Sequence, residues 1–392
     1  MPMRVVYSLE PMPESFSRSI FLAGPTPRED DVPSWRPEAL RLLEEAGYDG
    51  VVFVPEYPTV PFRVTDKQYP DQCHWEAEAT EMSDCILFWL PRELATMPGF
   101  TTNHEHGEWF RSGKIVFGAP SDAPKIRYLR LKGNELFVPQ AETLSEAVQK
   151  AIAMVRDGAL RSGGERYVPL HVWWTDSFGR WYQFMKDAGN RLDKARVEWT
   201  FRVGKSKERV FFWILWADVF ITKENRHKTN EVVIGRPDIV STVLFHPSYN
   251  VIESEVVLVT EFRAPVANRE GLVSEVSGGS SNQAKDQLTL AGDEVFEETG
   301  LKISSSRFEF FDCRQLVATA MSHHAHLYGV RLTDEEISIL KKNEKDGTFH
   351  GVEADTERTR IKVIKFGQIL EENLVDWSTI GMIFQVIVSR FI

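Results

Sequence analysis

The chain has 392 residues, of which 42% are hydrophobic and 26% charged, with a formal net charge of −11 at pH 7. This length is enough for two or three domains, each with its own core. The negative balance argues against general nucleic-acid binding, which needs a basic face, but it leaves room for a local basic pocket for phosphates.

The cysteines and the apolar runs give expectations about the compartment. Cys73, Cys85 and Cys313 are few and widely spaced, which is typical of reduced thiols in a cytoplasm rather than of a disulfide framework. The N-terminal segment has no apolar signal-peptide core, and no run approaches the roughly 18 apolar residues of a membrane span. We therefore expect a cytoplasmic protein that binds neither a membrane nor a nucleic acid.

Short apolar runs alternate with helical patterns over the first 157 residues. The patterns predict strands at 19–25, 51–55, 84–90 and 114–118, and helices at 35–47, 74–82, 102–112 and 144–156. Such alternation indicates an α/β domain built on a doubly wound, Rossmann-like parallel sheet, here placed at residues 1–157.

The next segment changes in composition. Residues 158–209 begin with a Gly-rich stretch and continue with many Trp and charged residues, which favours a linker followed by a partly helical connector. The apolar run at 210–221 predicts a buried strand pair or a helix. Strands then dominate, apart from a helix near 290–300 and a final one at 378–388, so we expect a second, α+β domain at 210–392.

Polar and small residues follow the predicted strands of the first domain. Gly24 and Pro25 come after the first strand, and Arg92 comes after the third. Ligands of an open parallel sheet bind beyond the carboxyl ends of its strands. These three residues are therefore candidate substrate-binding residues.

A helix start downstream offers a second group of candidates. Thr102 and Asn103 open the predicted helix, where free backbone N–H groups can hold an anion or a sugar hydroxyl. Glu105 follows in its first turn, where a carboxylate is well placed to attack an anomeric carbon. An ordinary acidic residue at a helix start is the alternative.

The first domain resembles the nucleoside 2-deoxyribosyltransferase family, which includes nucleotide N-hydrolases, over roughly residues 18–157. The resemblance rests on the motifs L-A-G-P, M-S-D-C-I-L-F-W and T-T-N-H-E-H-G. It implies that Glu105 is the nucleophile and that Asp84 has a catalytic, orienting or structural role. It also implies a small nucleotide substrate and assembly into homo-oligomers. One departure is that the family's Asp shortly before the Gly-Thr is missing from T-M-P-G-F-T-T.

The second domain carries three glutamates at i, i+3 and i+4, namely Glu294, Glu297 and Glu298. On a helix they project from one face, where like charges repel. A divalent cation would remove the conflict, and hard oxygen ligands suit Mg²⁺ or Mn²⁺. The alternative is an ordinary amphipathic acidic helix that ends at Gly300.

This stretch also resembles the Nudix box, whose opening glycine falls on Gly279. The resemblance implies a Nudix fold, places the family's metal-binding positions on the three glutamates, and makes Glu297 and Glu298 catalytic candidates. Two positions depart, because Lys285 stands where the family has an acid and Asp293 where it has an arginine. In the family these two residues form an ion pair that braces the loop against the helix. We expect this brace to survive here with reversed polarity.

The Nudix resemblance implies further site residues. Arg263 ends a β-branched run, where such enzymes place an arginine near the diphosphate. A later carboxylate often serves as base or metal ligand, and Glu353 and Glu357 are equal candidates. The H-H-x-H sequence at 323–326 indicates a loop and strand near the substrate pocket, with a zinc site as the alternative.

Together these patterns predict a two-domain nucleotide-processing hydrolase. The first domain would cleave, or transfer, the base of a nucleoside or nucleotide. The second would hydrolyse a nucleoside diphosphate-X compound such as ADP-ribose, NAD or a nucleoside triphosphate, with Mg²⁺ or Mn²⁺. In one alternative the second domain is a nucleotide sensor that gates the first, and in another the protein is a non-catalytic assembly protein.

Overall fold

The structure is a computed structural model that describes residues 2–59, 63–281, 285–352, 357–372 and 374–389. The chain divides into two compact units, Met1–Gly235 and Arg236–Ile392. Residues 158–209, predicted as a linker and connector, fall within the first unit. None of the helices within the described ranges is both long and apolar enough to cross a membrane.

The first unit contains eleven described strands and seven described α-helices. The strands are β1 (Arg4–Tyr7), β2 (Ser15–Phe16), β3 (Ser19–Ala23), β4 (Val51–Val54), β5 (Cys85–Trp89), β6 (Ile115–Gly118), β7 (Gln140–Ala141), β8 (Arg161–Ser162), β9 (Arg191–Val203), β10 (Arg209–Ile221) and β11 (Arg226–Gly235). The helices are α1 (Arg36–Glu45), α2 (Tyr69–Met82), α3 (Phe100–Trp109), α4 (Arg127–Glu135), α5 (Leu144–Val155), α6 (Leu170–Trp173) and α7 (Asp176–Asp187).

A six-stranded parallel sheet forms the centre of this unit, in the order β1-β4-β3-β5-β6-β7. The strand order reverses between β3 and β5, so the connections leave these two neighbours in opposite directions. A crevice at such a switch point is where open α/β sheets bind ligands. The sheet therefore places the loops after β3, β4 and β5 around one candidate site.

Both faces of the parallel sheet are covered. Every residue of β3, β4, β5 and β6 is buried, as expected of a sheet with packing on each side. Apolar residues of α1 and α5 fill one core, and those of α2, α7 and β10 fill the other. The predicted parallel α/β sheet is thus confirmed.

The connector has more regular structure than its sequence predicts. It contains α6, α7 and β9, and β9 pairs with β10 in a three-stranded antiparallel sheet that ends in β11. Trp213 and Leu215 of β10 pack with Phe178 of α7 in a core of the first unit. The run at 210–221 is therefore one long strand rather than a strand pair or a helix.

The second unit is built on a mixed sheet. Its strands are β12 (Ile239–His246), β13 (Glu255–Phe262), β14 (Leu272–Glu275), β15 (Ser277–Gly279), β16 (Glu309–Gln315), β17 (His324–Arg331), β18 (Phe349–His350) and β19 (Thr359–Lys365). Its α-helices are α8 (Gln287–Thr299), α9 (Asp334–Asp346), α10 (Phe366–Glu372) and α11 (Trp377–Val388).

Six of these strands run in the order β16-β17-β12-β13-β19-β18, while β14 pairs with β13 and β15 with β12. Among the described strand pairs of this second sheet, only β12 and β17 pair in parallel. Apolar residues of α8 and α9 form a core on one face, and those of α10 and α11 form a core on the other. The mixture of helices and mostly antiparallel strands agrees with the α+β prediction.

Candidate functional site

Glu105 lies on α3, which begins directly after Gly99 in the left-handed conformation (φ 64°). Thr102 in the first turn is buried and Asn103 is exposed, whereas Glu105 is half-buried. Burial raises the pKa of Glu105 above its ordinary value, and the positive charge of Arg36 opposes that rise. The predicted nucleophile is therefore set into the protein rather than displayed on a solvated helix face.

A second carboxylate, Glu76, faces Glu105 from α2. Gln72 fixes it, because its Nε2 donates to Glu76 Oε1 at 2.7 Å and to the Pro55 carbonyl at 3.1 Å. Burial and then the negative charge of Glu105 raise the pKa of Glu76 to about 7. The first unit thus brings together one carboxylate and one group that is half protonated near neutrality. The sequence indicates Glu76 only as one of several residues that could line the pocket, since its pairing with Glu105 depends on two helices packing together.

Arg36 organises the loops around this pair. Its side chain is 1% exposed and forms an ion pair with the buried Glu56, which follows β4. It also donates to the Leu22 carbonyl of β3 at 3.0 Å, and to two acceptors of the loop after β3, the Gly24 carbonyl at 2.7 Å and the Thr26 hydroxyl at 3.2 Å. One buried guanidinium therefore holds two strand-end loops together and adds positive charge near Glu105.

Gly24 and Pro25 lie at this carboxyl edge, as predicted. A side chain at position 24 would collide with the Trp89 carbonyl and the Trp35 ring, so the close approach of these segments requires glycine. The Trp35 indole donates to the Pro25 carbonyl at 3.2 Å. These contacts fix the shape of the loop.

Arg92 lies after β5 and is 6% exposed. Its Nη1 donates to the Lys125 carbonyl at 3.0 Å, and its Nη2 donates to Asn103 Oδ1. The structure therefore brings two predicted binding residues, Arg92 and Asn103, into direct contact. Asn103 lies two residues before Glu105 on α3.

Asp84 occupies the opposite end of the sheet. It immediately precedes β5, and its carboxylate accepts two bonds from Arg161, at 2.7 and 2.6 Å. The backbone N–H groups of Ser19 and Leu170 also donate to it, at 2.9 and 3.1 Å. Both side chains of the ion pair are fully buried. These contacts favour the structural alternative for Asp84, which ties Arg161 to the amino end of the sheet.

In the second unit, α8 carries the predicted acidic face. Asp286 caps it by accepting from the Thr289 N–H at 2.9 Å, and Gly300 ends it in the left-handed conformation (φ 74°). Lys285 Nζ lies 2.9 Å from Asp293 Oδ2. The expected brace with reversed polarity is confirmed.

Glu294 and Glu297 differ in exposure. Glu294 is half-buried and lies so close to Gly279 that a side chain at position 279 would strike its carboxylate. Burial, together with the negative charges of Glu297 and Glu357, raises the pKa of Glu294 to about 7, against the influence of Lys285. Glu297 is exposed. On this acidic face Glu294 is therefore partly enclosed by the protein, whereas Glu297 is open to solvent.

Glu298 is the most buried of the three, at 6% exposure. The Gly278 N–H donates to its Oε2 at 3.0 Å. Burial raises the pKa of Glu298 to about 8, although the hydrogen bonds from Ser277 and Gly278 lower it and the charge of Glu294 raises it. Strand β15 therefore anchors this end of α8.

Two arginines lie near the acidic face. Arg263 is within 3.0 Å of Glu261 and 3.2 Å of Glu275. Arg236 is buried enough that its pKa falls, and the charge of Arg263 lowers it further; its Nη2 donates to Ser280 at 2.8 Å. The sequence predicts Arg263 as a binding residue, but Arg236, between Gly235 and Pro237, lies in no distinctive pattern.

The metal prediction can be tested on the donors that are described. Carboxylate oxygens suit Mg²⁺ or Mn²⁺, and Glu294 interacts electrostatically with Glu297, Glu298 and Glu357. Within the described ranges, however, no group of three or more His, Cys, Asp or Glu residues is arranged to hold a metal ion. Glu353 lies outside those ranges. The donor chemistry fits the ion, but a converged cage does not appear among these residues.

The histidines at 323–326 follow the predicted strand pattern in part. His324 and His326 lie two residues apart on β17, and the Asp238 carboxylate lies 3.3 Å from His326 Nε2. His323 is buried, and desolvation lowers its pKa to about 4. Among the described residues these side chains belong to no group of three or more that is arranged to hold a metal ion, so the zinc alternative gains no support.

Comparison with known proteins supports the family resemblance that the sequence predicts for the first unit. Residues 17–123 match the family model described as nucleoside 2-deoxyribosyltransferase like. The match includes β3 to β6 and the helices that carry Glu76 and Glu105. A comparison with curated proteins gave no match. The family match does not extend into the second unit, so the Nudix resemblance stays a prediction.

Proposed function

We propose that the first unit cleaves the N-glycosidic bond of a nucleoside or nucleotide with Glu105 as nucleophile. The observation that carries this proposal is the pairing of Glu105 with Glu76 at the carboxyl edge of a parallel sheet. The nucleoside 2-deoxyribosyltransferase-like match spans both residues.

The two glutamates have environments suited to different tasks. Burial raises the pKa of Glu105, and the charge of Arg36 opposes that rise and so helps the carboxylate to stay ionised. Glu76, whose pKa is raised to about 7, can keep a proton for the departing base. Pairs of acids whose environments separate their roles in this way are typical of glycosidic chemistry.

In the proposed reaction the Glu105 carboxylate attacks C1′, and the C1′–N bond breaks as a C1′–O bond forms. The base leaves with a proton from Glu76. Water, or a second base, then attacks C1′ and releases the Glu105 carboxylate, and the incoming nucleophile returns its proton to Glu76. Whether the acceptor is water or a base decides between hydrolysis and transfer.

The test is base release by Glu105→Gln, with Glu108→Gln as the matched control. Glu108 is an exposed acid on the same helix. We expect no release of free base from nucleosides, nucleoside monophosphates or NAD by Glu105→Gln, measured by mass spectrometry, and near-normal release by the control. Unchanged release by Glu105→Gln would refute the assignment.

For the second unit we propose metal-dependent hydrolysis of a nucleoside diphosphate-X compound. The Lys285–Asp293 brace and the approach of Gly279 to Glu294 favour it, because both are expected of the reversed Nudix box. Glu294, Glu297 and Glu298 would hold Mg²⁺ or Mn²⁺, with Glu353 or Glu357 as a further ligand or base. A bound divalent ion would neutralise the diphosphate and activate water.

Product analysis separates the proposed activities. Incubation with NAD and ADP-ribose, with and without Mg²⁺, should give free base by the first unit and cleaved diphosphate only with the metal. Diphosphate cleavage at full rate with excess chelator would contradict the metal requirement. Nucleotide binding by the second unit without any cleavage would favour the sensor alternative, and no turnover by either unit would favour an assembly role.

A further inference from the structure

A pocket of about 550 Å³ opens at the carboxyl ends of β5 and β6 in the first unit. The loop after β5 lines it with residues 91–95, and the loop after β6 lines it with residue 120 and residues 122–124. It lies on the same edge of the sheet as the glutamate pair, but it is lined by none of the residues assigned above to the bond-breaking step. Arg92 is its one deeply buried charged side chain among the described lining residues.

The guanidinium of Arg92 lacks a counter-ion within the described part of the chain. Its two terminal nitrogens donate to neutral acceptors, the Lys125 carbonyl and the Asn103 amide oxygen. Its Nε is buried and has no hydrogen-bond partner among the described residues. A buried cation with an unused N–H is costly unless an anion pairs with it.

A helix start adds to this positive field. Helix α4 begins at Arg127, three residues after Pro124 of the pocket wall, and no side chain caps it. The positive end of the helix dipole favours an anion nearby, although the first residues of α4 lie outside the pocket lining. The Lys125 carbonyl that binds Arg92 belongs to the same approach to α4.

We propose that this pocket binds a phosphate group through Arg92. The Nε–H supplies a charge-assisted hydrogen bond, and the buried guanidinium supplies the charge. Glu93 and Asp122 stand at the exposed parts of the lining, so Arg92 alone among the described charged lining residues attracts an anion.

The location also connects the pocket to the proposed glycosidic reaction, and this step rests on that proposed function. Asn103, which accepts from Arg92, lies two residues before Glu105 on α3. A phosphate held by Arg92 would belong to the substrate, and the first unit would prefer a nucleoside monophosphate to the nucleoside. A free phosphate ion in the same pocket is the other source of this chemistry.

The direct test is a calorimetric titration with inorganic phosphate at constant ionic strength. Arg92→Gln should weaken phosphate binding by at least about tenfold, because it removes a charge-assisted bond. Arg130→Gln is the matched control, since Arg130 is outside the pocket lining and already faces Glu142 at 3.8 Å; it should bind phosphate normally. Equal affinity of Arg92→Gln and the natural protein, or no phosphate binding by the natural protein, would overturn the proposal.

A second variant guards against a folding defect in Arg92→Gln. Ala123→Phe fills the pocket and leaves Arg92 in place, so it too should lose phosphate binding. Normal phosphate binding by a folded Ala123→Phe protein would place the ion elsewhere and count against the pocket.

The source of the phosphate is distinguished in the Glu105→Gln background, where no substrate turns over. If the phosphate belongs to the substrate, a nucleoside 5′-monophosphate should bind at least about tenfold more tightly than its nucleoside, and Arg92→Gln should remove that difference. If it is a free ion, phosphate and nucleoside should bind together. Base release that persists in Glu105→Gln would refute the nucleophile and leave the phosphate result standing.

Discussion

The two units both gather carboxylates beside a sheet, but they balance the negative charge differently. In the first unit burial raises the pKa of both glutamates, to about 7 for Glu76, and the charge of the fully buried Arg36 opposes the rise at each. In the second unit the pKa values of Glu294 and Glu298 rise to about 7 and about 8, and the cation that opposes the rise at Glu294 is the exposed Lys285. The first cluster therefore has a buried cation of its own, whereas the second is crowded in a way that an added cation would relieve.

This contrast has a functional meaning under the proposals above. A glycosidic nucleophile must be ionised without metal, so a permanent side-chain cation suits it. A diphosphate-hydrolysing site handles a substrate that is itself strongly negative, so a metal ion shared between protein and substrate suits it better. The same residue type, glutamate, is therefore expected to serve opposite electrostatic strategies in one chain.

The largest expected effect is a crossed loss of activity. Glu105→Gln should reduce base release by roughly a thousandfold and leave diphosphate cleavage unchanged, and Glu298→Gln should do the reverse. Product formation from NAD and ADP-ribose with Mg²⁺ measures both rates in one sample. Glu335→Gln, an exposed acid on α9, is the control for the second unit. A parallel loss of both activities in either variant would contradict two independent clusters.

The next effect concerns stability at the other end of the parallel sheet. Asp84→Ala leaves Arg161 buried without its partner and should lower the free energy of unfolding of the first unit by about 3–5 kcal/mol. Urea unfolding followed by tryptophan fluorescence reports this unit, because every tryptophan except Trp377 lies in it.

A matched pair separates this structural role from catalysis. Asp49→Ala breaks the ion pair with Arg18 at a carboxylate that is 48% exposed, so it should cost less than about 1 kcal/mol. Folded Asp84→Ala protein should retain base release. Normal stability with lost base release would restore the catalytic role that the sequence predicted for Asp84.

A smaller effect tests the division of roles between Glu105 and Glu76. If Glu76 gives its proton to the leaving base, kcat/KM for base release should fall as the pH rises through about 7, because the raised pKa keeps the acid form below that value. Glu76→Gln should lower the rate by about a hundredfold and remove this limb of the pH profile.

Asp71→Asn serves as the control, since Asp71 is an exposed acid in the first turn of the same helix. It should keep both the rate and the alkaline limb. An alkaline limb that persists in Glu76→Gln would assign the titration to another group.

These variants also show which features the sequence could predict. The four central strands and α3 were predictable because buried apolar runs, and the Gly or Pro residues near their ends, are local signals. Strand β9 was not, since charged residues alternate along it and its partner β10 follows in the chain. The Lys285–Asp293 pair was predictable because the box fixes the spacing of both residues.

Features that depend on tertiary packing were harder to predict. Glu76 meets Glu105 only because α2 and α3 pack on the same sheet, and no sequence spacing relates the two residues. Asp84 stands in a family-like position, but its partner Arg161 lies in a segment predicted as a linker. Arg36 is one of several residues that, from the sequence, could line the site, and only its hydrogen bonds to the Leu22 and Gly24 carbonyls distinguish it.

The smallest expected effect belongs to the second unit's brace. Lys285 and Asp293 are 39% and 44% exposed, so solvent screens their attraction and the pair should contribute little to stability. Lys285→Glu alone would place two acids opposite each other, whereas Lys285→Glu with Asp293→Lys restores an ion pair in the polarity typical of the Nudix box. A double-mutant cycle of unfolding free energies should therefore give a small favourable coupling for the double variant.

Diphosphate hydrolysis should fall in Lys285→Glu and recover in the double variant, because the brace holds the loop against α8. Full activity in Lys285→Glu would show that the ion pair is a surface contact without influence on the glutamates, and the second unit's acidic face would then have to be positioned by β15 alone.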